Sequence, residues 1–557
     1  MRQRLVIRNG RIVDGSGTPA FAGDVAVEGD RIVAVGEVDS FDDAEVIDAA
    51  GMVVAPGFIE IHTHYDPQIC WDRRATPAGE HGVTTVIMGN CGLSLAPVRP
   101  GFGERITRMF NKIEDIDTRF FDEAVSYAWS SYPEYLDAIR EGLGVNIAPV
   151  VGHSILRHYV MGDAAQQRTA TDDEIAEMCG LLKDAITAGA FGLSMSYKHL
   201  TDDHDRPMAS SFADTRERIA LARTVVEGGR RYVQTTLAQS DMDERYRELD
   251  ELGEISIATG ASCSALAVMQ QPHLPDSYRN DIAKLIELQA KGAYVRGQTM
   301  TRPLDFSFRL TRANALLYLV PVWSEIMLQS PEQRKKTLSD KSLWPRLDEA
   351  LRNYVPGQDI IGFFRVKIAE AADNQRYVGR SLAEIGKSEA ISSCEAMLRI
   401  ALADDFETLF DMTGMVHGND DIVAEILDHP LIQMGGSDAG AHVAQFAGEG
   451  DATYMLQHFV RDLGKFSLER AIQRMTSDIA RDFGIDDRGS IRPGYFADLV
   501  IFDPDTIERG PEILIRDLPG DGERFIRRAT GIDKVFVNGR LFVDRGEYTE
   551  ARAGRTV

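Results

Sequence analysis

Two histidines follow an apolar run near the start of the chain and could bind one metal ion together. The run occupies residues 52–61 and leads directly into His62-Thr63-His64. Because residues i and i+2 of a β-strand point to the same side, both imidazoles can reach a shared cation. For the pair alone, one hydrogen-bonded core histidine beside a solvated one is the favoured explanation, so the metal site needs further support.

Two later apolar runs provide that support. The β-branched run at 83–88 is followed three residues later by Cys91, and the run at 430–434 is followed four residues later by Asp438. A thiolate and a carboxylate are both able to bind metals. An α/β barrel builds its active site from groups just past the C-terminal ends of its strands. The three runs therefore predict one active site at one face of such a barrel.

Bulk properties exclude several classes of protein. The chain has 557 residues and a formal net charge of -25, which disfavours nucleic acid or an anionic membrane as a partner. No run approaches the roughly 18 apolar residues that a membrane helix requires, and the apolar start is too short for a signal peptide. The five cysteines are odd in number and form no C-x-x-C pair, which fits a reducing compartment. We therefore expect a cytoplasmic protein.

Both ends of the chain are predicted to form short strands separated by turns. Asn9-Gly10 and Glu28-Gly29-Asp30 are the clearest turn signals near the start, and a hairpin is expected about Asn538-Gly539 near the end. Neither end has enough strands to bury a sheet alone. We predict one small β-sandwich built from 1–55 and 487–557, with the barrel between them.

Residues 56–486 alternate between strand-like runs and helical patterns, which predicts a (β/α)8 TIM-like barrel. The first two strands carry the histidines and the cysteine. The remaining six are expected at 144–151, 190–195, 231–236, 255–259, 293–299 and 431–434. A crossover helix at 171–188 is expected to begin at Thr171 and to end at Gly189.

Two stretches, at 101–142 and 303–395, are too long for plain crossovers. Long insertions after barrel strands usually cover the mouth of the active site, so we expect them to be walls or lids of a substrate pocket. For the second stretch, a contact between subunits of a homo-oligomer is an equally good explanation.

The chain resembles the amidohydrolase superfamily, and within it the N-acyl-D-amino-acid deacylase (D-aminoacylase) branch. The resemblance extends over nearly the whole length. The matching motifs are PGFIEIHTHYD at 56–66, GVTT at 82–85, GNCG at 89–92, VGHSILR at 151–157, GSD at 436–438 and RGSIRPGYFADLV at 488–500.

The resemblance implies that His62, His64, Cys91 and Asp438 bind the metal, usually zinc, and that Asp438 also handles the proton. Family members with two metals take further histidines from strands five and six, but these strands here carry Gln234 and the segment at 262–266, with no histidine. We therefore expect one Zn2+ per chain, with another divalent metal as an alternative. Because a catalytic metal must also bind water, we expect either that Cys91 or Asp438 lies outside its first coordination sphere or that the metal takes five ligands.

Several other polar residues are candidates at the site. His273 as a displaced ligand and Lys198 as a carboxylated bridge are weaker candidates, because a surface position is favoured for His273 and a surface or substrate-facing position for Lys198. Candidates for substrate binding or for stabilising the oxyanion are His153, Arg157, Ser196, Gln234 and His442.

The implied reaction is hydrolysis of an amide bond, with an N-acyl amino acid or a related acylamino compound as the small-molecule substrate. Water activated by the metal attacks the carbonyl, and Asp438 passes the proton to the leaving nitrogen. The alternatives are a cyclic amide hydrolase or deaminase on the same strands, and a noncatalytic ligand-binding member.

Overall fold

A barrel of eight parallel strands forms the centre of the molecule. The computed structural model describes residues 4–39, 41, 43–114, 116–239, 241–272, 274–312, 317, 320–354 and 365–557. In chain order, the barrel strands are Phe58–Thr63, Val83–Met88, Asn146–Gly152, Gly192–Met195, Tyr232–Thr236, Ser262–Leu266, Val295–Gln298 and Ile432–Gln433.

Backbone hydrogen bonds close the barrel between its first and last strands. The N–H groups of Ile61 and His62 both donate to the carbonyl of Gly435, at 3.0 and 3.2 Å. The N–H of Asp438 donates to the carbonyl of His62 at 3.0 Å. Closure therefore brings the first barrel strand next to the segment that follows the last strand, at the predicted metal site. The predicted fold class is confirmed.

Helices connect the strands on the outside of the barrel. Those outside the two insertions are Gln68–Trp71, Ala78–His81, His153–Met161, Gly162–Gln166, Asp172–Ala188, Ala209–Phe212, Thr215–Glu227, Met242–Thr259, Ser277–Ala290, Asp420–Asp428, Asp451–Tyr454, Met455–Asp462, Leu468–Met475 and Ser477–Phe483. In the predicted crossover helix, the Thr171 side chain accepts from the Glu174 N–H and the Glu174 carboxylate accepts from the Thr171 N–H. This capping box and the following Gly189 set the limits of the helix as predicted.

The prediction of a strand at 255–259 was wrong. These residues are the last turns of the helix Met242–Thr259, and the sixth barrel strand is Ser262–Leu266 instead. Leu252 and Ile255 are three residues apart and both buried, as on the inner face of a helix. Gly260 ends the helix in a left-handed conformation, with a φ of 79°.

Strands from both ends of the chain pair into one nine-stranded sheet, which forms the β domain beside the barrel. Its members are Arg4–Ile12, Phe21–Glu28, Arg31–Gly36, Glu45–Asp48, Val53–Pro56, Leu499–Phe502, Ile532–Val537, Arg540–Asp544 and Glu547–Tyr548. The sheet buries its own apolar cluster, which includes Leu5, Val25 and Leu499. The domain boundaries at 55/56 and 486/487 remain a prediction.

One predicted turn in this domain lies inside a strand. Arg4–Ile12 is continuous, and Asn9-Gly10 forms a bulge at which the pairing register with Phe21–Glu28 shifts. The turn at Gly29-Asp30 and the hairpin about Asn538-Gly539 are present as predicted, and both Asn538 and Gly539 have a positive φ.

Both insertions are folded. A β-hairpin that was not predicted from the sequence is also present. The first insertion consists of Gly103–Glu114, Thr118–Ala124 and Tyr132–Ile139. The second extends beyond 395, because Phe306–Phe308, Lys367–Glu370 and Leu409–Met412 form one small sheet. Its helices are Trp323–Met327, Pro331–Ser339, Trp344–Tyr354, Gln375–Tyr377, Leu382–Glu389 and Ser393–Ala403. The hairpin pairs Glu508–Leu518 with Gly522–Thr530 around the short turn Pro519–Asp521.

Within the residues described, no helix has both the length and the apolar character that a bilayer crossing requires.

Candidate metal centre

The first and second barrel strands place three donor atoms close together at the barrel mouth. The Nε2 atoms of His62 and His64 are 3.3 Å apart, and Sγ of Cys91 lies 3.5 Å from the first and 3.8 Å from the second. All three side chains are buried. The chain thus turns two imidazoles and a thiol toward one point.

Asp438, after the last strand, supplies a fourth donor. Its Oδ1 is 3.2 Å from Nε2 of His64 and 3.7 Å from Nε2 of His62. Ligand atoms held 2.0–2.3 Å from a tetrahedral zinc ion lie about 3.3–3.8 Å from one another. Five separations among these atoms are 3.2–3.8 Å, so the donors around each imidazole are spaced like ligands of one such cation. With 25% of its side chain exposed, Asp438 is the most open of the four.

The loops that carry these groups have unusual backbone conformations. Cys91, Asp438 and His442 have φ values of 59°, 61° and 51°, in the left-handed region that non-glycine residues seldom adopt. Such conformations cost about 1–3 kcal/mol each and are concentrated at functional sites. At Gly440, a Cβ would lie 2.8 Å from the backbone of His64, so glycine lets this loop approach the first strand.

Two further side chains contact the Nδ1 atoms of His62 and His64. Nδ1 of His62 lies 3.0 Å from Oε1 of Gln298, whose amide nitrogen donates to the hydroxyl of Tyr232 at 3.2 Å. Nδ1 of His64 faces Oε1 of Glu114 at 3.4 Å. The sequence analysis missed both Gln298 and Glu114. No motif marks either residue, although Gln298 lies in the predicted strand 293–299 and ends the observed strand Val295–Gln298.

The pKa values of the side chains at the site are set by burial and by these neighbours. Burial lowers the pKa of His62 to about 4, and the adjacent His64 adds to this effect. Burial also lowers the pKa of His64, but Glu114 and Cys91 outweigh it and hold that pKa well above its usual value. Burial raises the pKa of the Cys91 thiol to about 12. For Asp438, burial raises the pKa, but the hydrogen bond and charge of His64 outweigh it and bring the pKa below its ordinary value.

Two of the predicted substrate-binding residues lie beside the donor set. Oε1 of Gln234 accepts a hydrogen bond from the Cys91 N–H at 3.2 Å. In the part of the chain that the structure describes, the Gln234 amide nitrogen and the Ser196 hydroxyl are buried without a hydrogen-bond partner. Ser196 is close to Gly92, since a Cβ on that glycine would lie 3.0 Å from the serine Oγ. Both polar groups are therefore available to a ligand.

His153 and Arg157 have other partners. The ring nitrogens of His153 lie 3.0 Å from the Ser210 hydroxyl and 2.9 Å from a carboxylate oxygen of Glu217. Arg157 is fully buried and also binds Glu217, as well as two backbone carbonyls. These contacts form a buried ion network, and they give no support to an oxyanion or carboxylate-binding role. Lys198 is exposed, and His273 lies outside the described residues.

His442 is the oxyanion candidate that the fold brings closest to Asp438. Its Nε2 lies 3.9 Å from Oδ2 of Asp438. The His442 ring stacks on Phe446 at 5.5 Å between centroids and meets the edge of Phe306, from the second insertion, at 6.5 Å. The second insertion therefore forms part of the wall around Asp438.

The hairpin Glu508–Thr530 holds the loop that follows His442. The Phe525 N–H donates to the Val443 carbonyl at 2.8 Å, and the Ala447 N–H donates to Oε2 of Glu512 at 3.0 Å. Arg509 donates to the carbonyls of Ala447 and Glu449, both at 2.7 Å. These hydrogen bonds from the hairpin hold the loop that carries Asp438 and His442.

Comparison with known proteins identifies the class. The Amidohydrolase family matches residues 45–314 and 361–543, so the chain belongs to this family and is a metal-dependent hydrolase. The gap between the two matched stretches, residues 315–360, lies in the second insertion.

Among individual relatives, a D-aminoacylase of Alcaligenes xylosoxydans xylosoxydans is 30% identical, with 99% of this chain and 97% of the relative covered. A solved D-aminoacylase with a binuclear metal centre, in which one metal activates and the second attenuates, is 26% identical with a TM-score of 0.65 over 99% of both chains. The N-acyl-D-glutamate deacylase of Bordetella bronchiseptica, solved with zinc and a phosphonate mimic of the tetrahedral intermediate, is 26% identical with a TM-score of 0.65 over 100% of this chain and 99% of its own.

Proposed function

We propose that this chain hydrolyses the amide bond of an N-acyl-D-amino acid, using one divalent metal held by His62, His64, Cys91 and Asp438. The observation that carries the proposal is the convergence of donor atoms from His62, His64, Cys91 and Asp438 at the barrel mouth, where Asp438 is partly exposed. Two imidazoles, a thiolate and a carboxylate suit zinc. The D-aminoacylase and N-acyl-D-glutamate deacylase relatives support both the acyl amino acid and its D configuration.

The residues of the site divide the chemistry between them. A bound divalent cation would polarise the scissile carbonyl and lower the pKa of water to about 7. The exposed oxygen of Asp438 accepts the proton of the attacking water and returns it to the leaving nitrogen, which leaves poorly unless it is protonated. His442 donates an N–H to the developing oxyanion. The Phe306 and Phe446 rings pack against the His442 ring and orient it.

One metal per chain is the stoichiometry that fits these residues. The fifth and sixth barrel strands, Tyr232–Thr236 and Ser262–Leu266, carry no histidine that could hold a second metal. Oε1 of Gln234 is already bound to the Cys91 backbone. The D-aminoacylase that one metal activates offers a parallel for a mononuclear enzyme.

A substrate panel tests the proposal. Protein purified without chelator is assayed with N-acetyl-D-glutamate, N-acetyl-D-aspartate and N-acetyl-D-leucine, with their L enantiomers, and with a cyclic imide. We expect hydrolysis of a D substrate that is lost after chelation and restored by zinc. Hydrolysis of the cyclic imide alone would favour the cyclic amide hydrolase. Unchanged binding by metal-free protein without turnover would favour the noncatalytic alternative.

Two further expectations concern the protein as a whole. All five cysteines are free, which fits the reducing environment of the cytoplasm. We also propose a homo-oligomer in which the second insertion contributes to the subunit contact. Light scattering of wild-type protein, and of protein lacking part of this insertion, tests that proposal.

A further inference from the structure

Glu114 is a buried carboxylate of the first insertion and lies at the barrel mouth. It is the last residue of the helix Gly103–Glu114, and only 2% of its surface is exposed. Burying a carboxylate is costly unless a specific partner compensates for the lost solvation. No arginine or lysine in the described part of the chain forms a salt bridge with it. The position therefore calls for a cationic or proton-sharing partner.

His64 is that partner. Oε1 of Glu114 lies 3.4 Å from Nδ1 of His64, and this oxygen has no hydrogen-bond partner among the described residues. The opposite ring nitrogen, Nε2, faces Cys91 and Asp438. Glu114 thus faces the ring nitrogen of His64 that does not face Cys91, and its carboxylate also lies within 4.8 Å of the Asp438 carboxylate. Hydrogen bonds at catalytic sites are often long in the ligand-free state and shorten when the ligand binds.

The two imidazoles of the site differ in this respect. Nδ1 of His62 lies 3.0 Å from the neutral amide of Gln298, whereas Nδ1 of His64 faces the carboxylate of Glu114. A carboxylate that accepts the N–H of a metal-binding histidine fixes the tautomer and makes the metal-binding nitrogen more basic. An amide fixes the tautomer but contributes no charge. His64 is therefore placed to be the stronger of the two nitrogen ligands.

We infer that Glu114 is a positioning residue, which holds the Nδ1–H of His64 and so strengthens the metal centre from the first insertion. The inference rests on the proposed metal centre. It assigns to residues 101–142 a part in metal binding in addition to forming a wall of the pocket.

The backbone of the same residue connects the insertion to the other side of the site. The carbonyl of Glu114 accepts the N–H of His442 at 2.5 Å. One residue therefore contacts His64 from the first strand and the loop that carries Asp438 and His442. A shift of the insertion helix would move both sides of the donor set together.

The test compares Glu114→Gln with Glu104→Gln in the full-length protein. Glu104 is in the same helix, with 85% of its side chain exposed and paired to Arg108, so it is the matched control. Zinc affinity is measured by competition with a chromophoric chelator, and thermal unfolding is recorded with and without zinc. We expect Glu114→Gln to weaken zinc binding by about 10- to 100-fold, and Glu104→Gln to leave it unchanged.

The thermal data separate positioning from a purely structural role. Glutamine has nearly the same shape and is neutral, so metal-free Glu114→Gln should melt no lower than metal-free wild type. Its rise in melting temperature with zinc should be smaller. A lower melting temperature without zinc, together with unchanged zinc affinity, would show a structural role and overturn the inference.

The assay also distinguishes failure of the inference from failure of the proposed function. Unchanged zinc affinity in Glu114→Gln overturns the inference, even if the wild type hydrolyses acyl amino acids. Weakened affinity supports the inference even if the wild type turns over none of these substrates. A wild type that binds no zinc would overturn both.

Discussion

Nε2 of His64 lies 3.2 Å from Oδ1 of Asp438, so that the first and last strands of the barrel meet at one pair of side chains. The contact depends on barrel closure, because the Asp438 N–H donates to the carbonyl of His62 and the His64 N–H donates to the carbonyl of Ala439. The same backbone bonds that complete the barrel therefore assemble the donor set. Metal binding should in turn stabilise the closed barrel.

Replacement of Asp438 by asparagine should remove the proton shuttle. Asparagine keeps the shape of the side chain but cannot accept and return a proton at neutral pH, so kcat should fall by about 10²–10⁴-fold. The measurement is steady-state hydrolysis of the best D substrate, with circular dichroism to confirm the fold. Asp428→Asn, at an exposed residue paired with Arg470, is the control. An Asp438→Asn enzyme with a near-normal kcat would exclude the shuttle role.

Zinc binding should release protons. The raised pKa values of His64 and Cys91 keep both groups protonated in the metal-free protein at neutral pH. Because zinc requires a neutral imidazole and a thiolate, binding should displace about two protons, and apparent affinity should increase as the pH rises. Calorimetry in buffers of different ionisation enthalpy measures the release, and Cys91→Ser should lower it by about one proton. Binding without proton release would contradict the assignment.

The Glu217 network should support stability rather than catalysis. Glu217→Ala leaves Arg157 buried without its carboxylate partner, which should cost about 3–5 kcal/mol of unfolding free energy. Activity per folded molecule should stay near that of the wild type. Denaturant unfolding and kcat test this, with Glu227→Ala, at the exposed end of the same helix, as control. A large loss of kcat in folded protein would indicate that His153 and Arg157 take part in catalysis.

The same network gives a pH dependence. Burial raises the pKa of Glu217, but hydrogen bonds and charges from His153 and Arg157 outweigh it and bring the pKa to about 2. Because the folded value lies below the unfolded one, the stabilisation is complete above about pH 4.3 and is lost as the pH falls toward 2. Stability measured between pH 5 and pH 3 should fall less steeply in Glu217→Ala than in the wild type. Equal slopes would contradict this account.

Glu512 should influence turnover from outside the site. Glu512→Ala removes the acceptor for the Ala447 N–H, which is one of the contacts that hold the loop carrying Asp438 and His442. Since small misplacements of reacting groups cost up to about 100-fold in rate, kcat should fall while zinc content changes little. Arg516→Ala, at an exposed position in the same hairpin, should leave kcat unchanged. Equal kcat values in the two variants would show that the hairpin does not fix the loop.

The parts of the fold that follow from local patterns could be predicted from the sequence. Apolar runs that end in His64, Cys91 and Asp438 indicated both the strands and the donor set, because a barrel presents the ends of its parallel strands at one face. The strand at 255–259 failed because a short apolar run does not distinguish a strand from a buried helix. The spacing of Leu252 and Ile255 favoured the helix.

The surroundings of the site could not be predicted in the same way. The roles of Glu114 and Gln298 depend on contacts with residues that are distant in the sequence. From the sequence alone, a glutamate in a charged helix is expected to be exposed. His153 follows a barrel strand, as a functional residue would, but Glu217 from another crossover determines its environment. Such pairings depend on tertiary packing, which a single sequence does not reveal.

Anomalous diffraction at the zinc absorption edge, from crystals of untreated protein, tests the central claim most directly. The account predicts one anomalous peak per chain, between Nε2 of His62, Nε2 of His64, Sγ of Cys91 and Oδ1 of Asp438. No peak at that point, or zinc bound only elsewhere in the chain, would contradict it.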